Sequence, residues 1–185
     1  MDDFNQIIRS HQGTVFRMLG KMVRDPQRVE DLAQEVFLRV FRGLAHFRGQ
    51  AEFTTWLYRI VTNVVADDYR KIRSRPTPLS LDDEETNLAE RVADQAEATP
   101  VTIERREMAE RVHNALYDMP PPFRAVLTLF YMEEKPYNEI ADILSLPVGT
   151  VKTYLHRGRK ALREKMLNLS EEEPSLRKRA EKTLS

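Results

Sequence analysis

Cysteine is missing from this chain altogether. That absence excludes disulfides, thiolate metal sites and redox-sensing thiols. Glycine occurs only six times, and neither a glycine-rich phosphate loop nor a nucleophile motif is present. The histidines, His11, His46, His113 and His156, are scattered without metal-ligand spacing. No metal, no cofactor and no catalytic residue is therefore expected, and the chain does not read as an enzyme. No apolar run approaches the ~20 residues of a membrane span, and no signal peptide is evident, so the expected compartment is the cytoplasm. A surplus of charge is missing too, with 29 Lys and Arg against 29 Asp and Glu. A zero balance would ordinarily argue against a nucleic-acid partner.

The charges that are present are segregated, so the average misleads. Between positions 59 and 75 stand five cations (Arg59, Arg70, Lys71, Arg73, Arg75) and two acids; between 82 and 107 stand nine acids and three cations. A second basic stretch, 148–166, holds six cations and only Glu164 against them. Two basic segments thus flank an acidic one. With 185 residues, 41% hydrophobic and 31% charged, the chain has room for one domain or two small ones and the composition of a soluble, helix-rich protein.

The clearest pattern lies at 136–166. Ile140, Ala141 and Leu144 share one helical face, and Ser145-Leu146-Pro147 then breaks the helix, because a residue preceding proline is pushed out of the helical region. Pro147 suits the first turn of a new helix. Val151, Leu155, Gly158 and Leu162 form its narrow apolar stripe, and Gly158 would permit close packing. The opposite side collects Lys152, Thr153, His156, Arg157, Arg159, Lys160 and Arg163. A short helix, a turn and a basic second helix fit a DNA major groove. An amphipathic hairpin with a solvated basic face fits the spacing equally well.

Earlier in the chain, 1–24 places Phe4, Ile7, Ile8, His11, Val15, Leu19, Met22 and Val23 at helical spacing, expected as two consecutive helices. Asp25 is an expected N-cap with Pro26 at the first helical position. The helix 27–44 should bury Val29, Leu32, Ala33, Val36, Phe37, Val40, Phe41 and Leu44, turning Asp31, Gln34, Glu35, Leu38 and Arg42 outward. Leu38 interrupts that polar stripe, either as an ordinary surface leucine or as the apolar centre of a partner-binding face. After a loop at 46–52, a helix from 53 to about 73 should bury Phe53, Trp56, Leu57, Ile60 and Val64. Arg59, Thr62, Asn63, Ala66 and Arg70 then run along its other side. The loop's Phe47 and Arg48 suit stacking on unpaired bases, or a core anchor beside solvated residues. Residues 76–100 are acidic and poor in aromatics, hence a flexible linker, which at full extension reaches at most ~80 Å. A helix at 101–119, with Ile103, Met108, Val112, Leu116 and Met119 inward, and another at 123–132 complete a second helical core, followed by a mixed-charge tail.

Three segments together carry a resemblance: VEDLAQEVFLRVFRGL (29–44), FRGQAEFTTWLYRIVTNVVADDYRK (47–71) and YNEIADILSLPVGTVKTYLHRGRKAL (137–162). Over about residues 4–167 the chain resembles the extracytoplasmic-function sigma factors of bacterial RNA polymerase. The resemblance implies an all-α fold of two small helical domains on a flexible acidic linker, the second ending in a helix-turn-helix. Residues 1–75 would bind core polymerase and melt the promoter at the minus-ten element; 76–100 would be the linker, placed in the polymerase RNA path; 101–168 would read the minus-thirty-five element; 169–185 would be a tail. It assigns Asp31, Gln34, Glu35, Leu38 and Arg42 to the polymerase clamp, Phe47, Arg48, Phe53, Thr55, Arg59, Thr62, Asn63 and Arg70 to minus-ten DNA, and Lys152, Thr153, His156, Arg157 and Arg159 to minus-thirty-five DNA. Asn63 would read a flipped base. The implied partners are core RNA polymerase (clamp and flap), promoter DNA and an anti-sigma factor, with no membrane insertion. Ser145 stands where that family commonly has glycine, Pro136 where a capping Ser or Thr is usual, and Tyr154 and His156 replace residues more often basic or small. Two rivals remain at this level: a stand-alone helix-turn-helix regulator, and a helical adaptor with no DNA role.

Overall fold

A computed structural model describes residues 2–47, 49, 52–74 and 100–172, and every regular element among them is helical. The expected linker lies almost wholly outside the described residues, as does the tail beyond Glu172.

The N-terminal half is a three-helix unit. Helix α1 runs unbroken over Asp2–Met22, where two helices were expected. Gly13 and Gly20 each weaken a helix by about 1 kcal/mol, but Val15, Met18, Leu19 and Met22 keep one fully buried stripe across them, and packing overrides local propensity. Helix α2 spans Pro26–Leu44, and the Asp25 side chain accepts from the Gln27 amide as its N-cap. It buries Val29, Leu32, Ala33, Val36 and Val40. Phe37 and Leu44 are only half-buried, and Phe41, expected inside, is 58% exposed with its ring edge-on to Phe4. At ~100° per residue Phe41 falls at the margin of the apolar stripe, where a peripheral contact with α1 replaces full burial. Helix α3, Phe53–Ser74, packs on both; a Cβ on Gly43 would come within 2.8 Å of the Trp56 ring, so a larger residue there would have to displace that ring.

The C-terminal half holds four helices: α4 (Pro100–Tyr117), α5 (Pro121–Leu127), α6 (Tyr137–Leu144) and α7 (Val148–Glu172). Pro121 and Pro122 open α5, where missing N–H groups cost nothing, and α5 continues into a π-helical turn, Thr128–Met132. Leu116 and Met119 are buried and Val112 half-buried as expected, but Met108 is 52% exposed, because the stretch 106–109 stands wholly in solvent; the Ile103 side chain lies outside the described residues. The hairpin turn rests on Ser145, which adopts the left-handed conformation (φ 53°, ψ 46°) that favours glycine. The Leu146 amide donates to the Ala141 carbonyl at 2.9 Å, the six-to-one bond that closes a helix C-terminus. Pro136 begins α6 without a side-chain cap. Gly158 faces Leu127 and Phe123, with space for a Cβ only 3.2 Å from Leu127.

The two halves share a single buried cluster. Helix α3 packs against α5 and α6, and α1 touches α4.

Candidate nucleic-acid and polymerase interfaces

Three surfaces carry the residues singled out in the sequence, and the fold treats them differently. On α7, Lys152, Thr153, His156, Arg157 and Arg159 are all exposed, as are Lys160 and Arg163. Val151, Leu155 and Gly158 are buried on the other side, which fixes the basic face outward. The Thr153 hydroxyl donates to the Gly149 carbonyl at 2.9 Å. Tyr154 is packed edge-on against Phe123, and Lys152 sits 5.8 Å over the Tyr137 ring.

On α2, Asp31, Gln34, Leu38 and Arg42 are exposed, Leu38 by 49%. Glu35 is half-exposed and accepts from Arg39 at 2.7 Å. Arg39 bridges onward to Asp67 on α3 at 2.8 Å, and these two carboxylates hold its pKa above the ordinary value. Next to this face, Arg28, Asp31, Leu32, Asp68, Lys71 and Ile72 line a shallow cavity of about 270 Å³, spanned by an Arg28–Asp68 ion pair.

On α3 the picture splits. Asn63 and Arg70 are exposed, Arg70 paired with Asp67. Thr62, expected on the open polar side, is only 5% exposed, its hydroxyl donating to the Tyr58 and Arg59 carbonyls of its own helix. Thr55 is equally closed off at 6% and donates to Glu139 on α6. The Arg59 guanidinium donates to the Asp142 carbonyl. The reason is tertiary: positions 55, 58, 59 and 62 fall on one stripe at ~100° per residue, and the C-terminal helices lie on it. Asn63 lies roughly 90° from the centre of that stripe and about 40° beyond Arg59 at its margin, and is exposed. Phe47 and Phe53 pack on one another and on Trp56, and His11 covers Phe53, the anchoring arrangement of that loop. Arg48 lies outside the described residues.

Two polar residues unremarked in the sequence hold the halves together. Glu133, between the π turn and α6, has a side chain only 6% exposed. It accepts from Lys21 at 2.7 Å and from the Tyr58 hydroxyl at 2.6 Å, with Arg17 at 3.6 Å. Burial alone would raise its pKa, but the hydrogen bonds from Lys21 and Tyr58 outweigh burial and hold it below the usual carboxylate value. Burial, and then the bond to Glu133, push the Tyr58 phenol up to about 12. Arg124, 7% exposed, donates to the Met22, Tyr117 and Met119 carbonyls, and Tyr117 donates to the Gly20 carbonyl at 2.6 Å. The guanidinium thereby satisfies the orphan carbonyls at two helix C-termini, where the dipole favours a cation. Sequence periodicity gives no warning of either residue: Glu133 stands in the MEEK run that reads as a solvated loop.

A helix-turn-helix with an outward basic second helix, joined to a three-helix unit, defines a helical DNA-binding protein. The comparisons with known proteins make the class specific. Residues 7–75 match the family model of sigma-70 region 2, and residues 109–162 that of sigma-70 region 4. The chain is 33% identical over 174 residues to the ECF RNA polymerase sigma factor SigW of Bacillus subtilis, covering 91% of each chain. It is 32% identical to the RNA polymerase sigma-H factor of Pseudomonas aeruginosa over 86% of this chain and 83% of that one. Among solved structures, the fold is similar to the sigma factor RpoE in complex with the anti-sigma factor NepR from Bartonella quintana (TM-score 0.63, 18% identity, 90% of this chain and 98% of that one). It is also similar to CnrH in complex with the cytosolic domain of CnrY (TM-score 0.60, 23% identity, 90% and 88%). The chain belongs to the ECF sigma factors: it binds RNA polymerase, directs it to promoters and serves transcription initiation. No helix among the described residues is long and apolar enough to cross a membrane.

Proposed function

We propose that the division of labour follows the two family regions: residues 1–75 engage the polymerase clamp and open the minus-ten element, residues 101–168 read the minus-thirty-five element, and the factor works in the cytoplasm without catalysis of its own. The observation that carries this reading is the outward basic face of α7, five named side chains all in solvent on a helix locked by its apolar side. Arg157 and Lys152 suit base edges and phosphates in the major groove. Asn63 is the base-reading residue of α3, since an exposed amide offers both a donor and an acceptor to a base freed from its partner. Leu38 is the apolar centre of the clamp-binding stripe, rimmed by Asp31, Gln34, Glu35 and Arg42. The acidic 76–100 linker suits a channel built for a polyanion. One structural neighbour is bound to the anti-sigma factor NepR and the other to the cytosolic domain of CnrY, and a partner of the anti-sigma class is part of this proposal.

The test is co-purification with core polymerase followed by sequencing of the transcript start sites. Shared sequence at both upstream positions supports the reading; binding to duplex DNA without any affinity for core polymerase would make the chain a stand-alone regulator. Leu38→Glu should abolish binding to core while Tm barely moves, because a side chain half in solvent contributes little to the fold; a large drop in Tm would return Leu38 to an ordinary packing role.

A further inference from the structure

We propose that Tyr137, the first residue of α6, is a positioning residue for promoter recognition: its ring holds the Lys152 ammonium toward the DNA backbone, which makes Lys152 a phosphate contact and leaves the bases to its neighbours. This division of tasks rests on the proposed reading of the minus-thirty-five element by residues 101–168. Lys152 stands near the start of α7 and is exposed, yet its Nζ lies 5.8 Å over the Tyr137 ring centroid. The ammonium is thus drawn from the reading helix toward the head of the helix before it. In a helix-turn-helix the second helix meets base edges while the first crosses the phosphate backbone. A cation parked at the head of α6 is therefore placed for phosphate.

The ring that parks it is itself held. Pro136, with φ −69° and ψ 158°, sets the entry into α6 with little freedom. Phe130 stacks on Tyr137 with centroids 5.2 Å apart and planes within 9°, and Tyr131 meets Phe130 edge-on at 4.9 Å. Phe130 belongs to the π-helical turn, whose end is closed by the Glu133 amide on the Thr128 carbonyl at 3.1 Å and the Lys135 amide on the Leu129 carbonyl at 2.9 Å. An aromatic face suits the task better than a carboxylate. Its quadrupole attracts the cation but adds no net charge, so the ammonium keeps its attraction for phosphate, to which a lysine binds as a point charge. Lys152 has no carboxylate partner among the described residues, whereas Lys160 on the same helix stands 4.0 Å from Glu164. Phosphate contacts fix register and carry no sequence information, a task distinct from that of Arg157.

The test uses holoenzyme and a fluorescein-labelled duplex that carries the upstream element of a promoter found by start-site sequencing and ends before the minus-ten element. Lys152→Ala should weaken binding by one common factor on this duplex and on single-base variants of its element, and should lower the slope of log K against log salt by about 0.9, the share of one phosphate. Tyr137→Leu should weaken all these duplexes alike by roughly two- to five-fold, the worth of an exposed cation–π contact. Tyr137→Phe, which keeps the ring, should restore wild-type affinity and slope. Added to Lys152→Ala, Tyr137→Leu should do nothing further, because its effect runs through Lys152; a merely structural role would make the two losses add. A base-dependent loss in Lys152→Ala would overturn the phosphate contact. Unchanged binding by Tyr137→Leu, full additivity, or no recovery in Tyr137→Phe would overturn the positioning role. A wild-type holoenzyme that prefers the upstream element no more than a scrambled duplex would sink the proposed function instead, and the salt slopes, which do not depend on sequence, would still decide the pair.

Discussion

Helices α7 and α3 both carry cations and small polar residues assigned to DNA, and in this chain one face is open and the other largely shut. On α7 the hydrophobic side is narrow, so one layer of neighbours satisfies it and everything else stays in solvent. On α3 the side facing α1 and α2 buries Leu57, Val61, Val64 and Val65, and a second side, Thr55, Tyr58 and Thr62, is buried as well. A polar stripe that reads as a solvent face can thus be an internal face, provided each polar group finds a partner. The hydroxyls of Thr55, Tyr58 and Thr62 all do.

The largest effect that should break this contrast is at Arg124. Arg124→Ala leaves the Met22, Tyr117 and Met119 carbonyls without their charged donor, and should cost about 3 kcal/mol, read as a shift in urea midpoint; a cost near zero would mean that solvent replaces the guanidinium and the junction is loose. Asn63→Ala tests the open edge of α3. It should still bind core polymerase and the upstream duplex, lose ~1–3 kcal/mol of base pairing, and fail to open linear promoter DNA, with partial rescue on a template mismatched at minus ten. Permanganate reactivity of promoter thymines is the measurement, and wild-type opening by the mutant would make Asn63 a plain surface residue. Arg157→Ala on the open face should cost a similar ~1–3 kcal/mol at one base position; weakening spread evenly across sequences would show that Arg157 touches phosphate only.

The smallest effect is the pH response of the junction. Glu133, held below its ordinary pKa, contributes stability that is present above the unfolded value of ~4.3 and is lost as pH falls through the folded one. Tyr58, pushed up to about 12, contributes stability present below ~10 and lost as pH rises through the folded value. The urea midpoint should therefore hold steady between about pH 5 and 10 and fall outside that window. Tyr58 and Tyr117, both raised by burial, should ionise late in an absorbance titration, and Tyr58→Phe should remove one of the two late ionisations.

Much of the architecture was legible from spacing. The Asp25-Pro26 start of α2, the extent of α3 and the break at Ser145-Leu146-Pro147 depend on local chemistry: a capping carboxylate, a helical period, a residue forced out of the helix before proline. The outward placement of Leu38 and of the α7 cations follows from the same period. Phe41 and Met108 escaped it, because periodicity says which residues share a side and says nothing about where the neighbouring element ends. Thr62 escaped for the converse reason, an unforeseen neighbour on the polar side.

What the sequence determined by itself, then, is what a period or a cap can express: the helices from Pro26 onward, most of their inner stripes, the hairpin, and a family resemblance resting on three segments. Only the tertiary structure decided which of the two helices proposed to face DNA stays open, and that decision hangs on Glu133 and Arg124, whose hydrogen-bond partners stand 75 to 112 and 5 to 102 residues away in the chain. A lone Glu or Arg in a charged run carries no periodic signal. Its burial is settled by the distant groups, Lys21 and Tyr58 for one, the carbonyl ends of α1 and α4 for the other, that make an otherwise prohibitive desolvation tolerable.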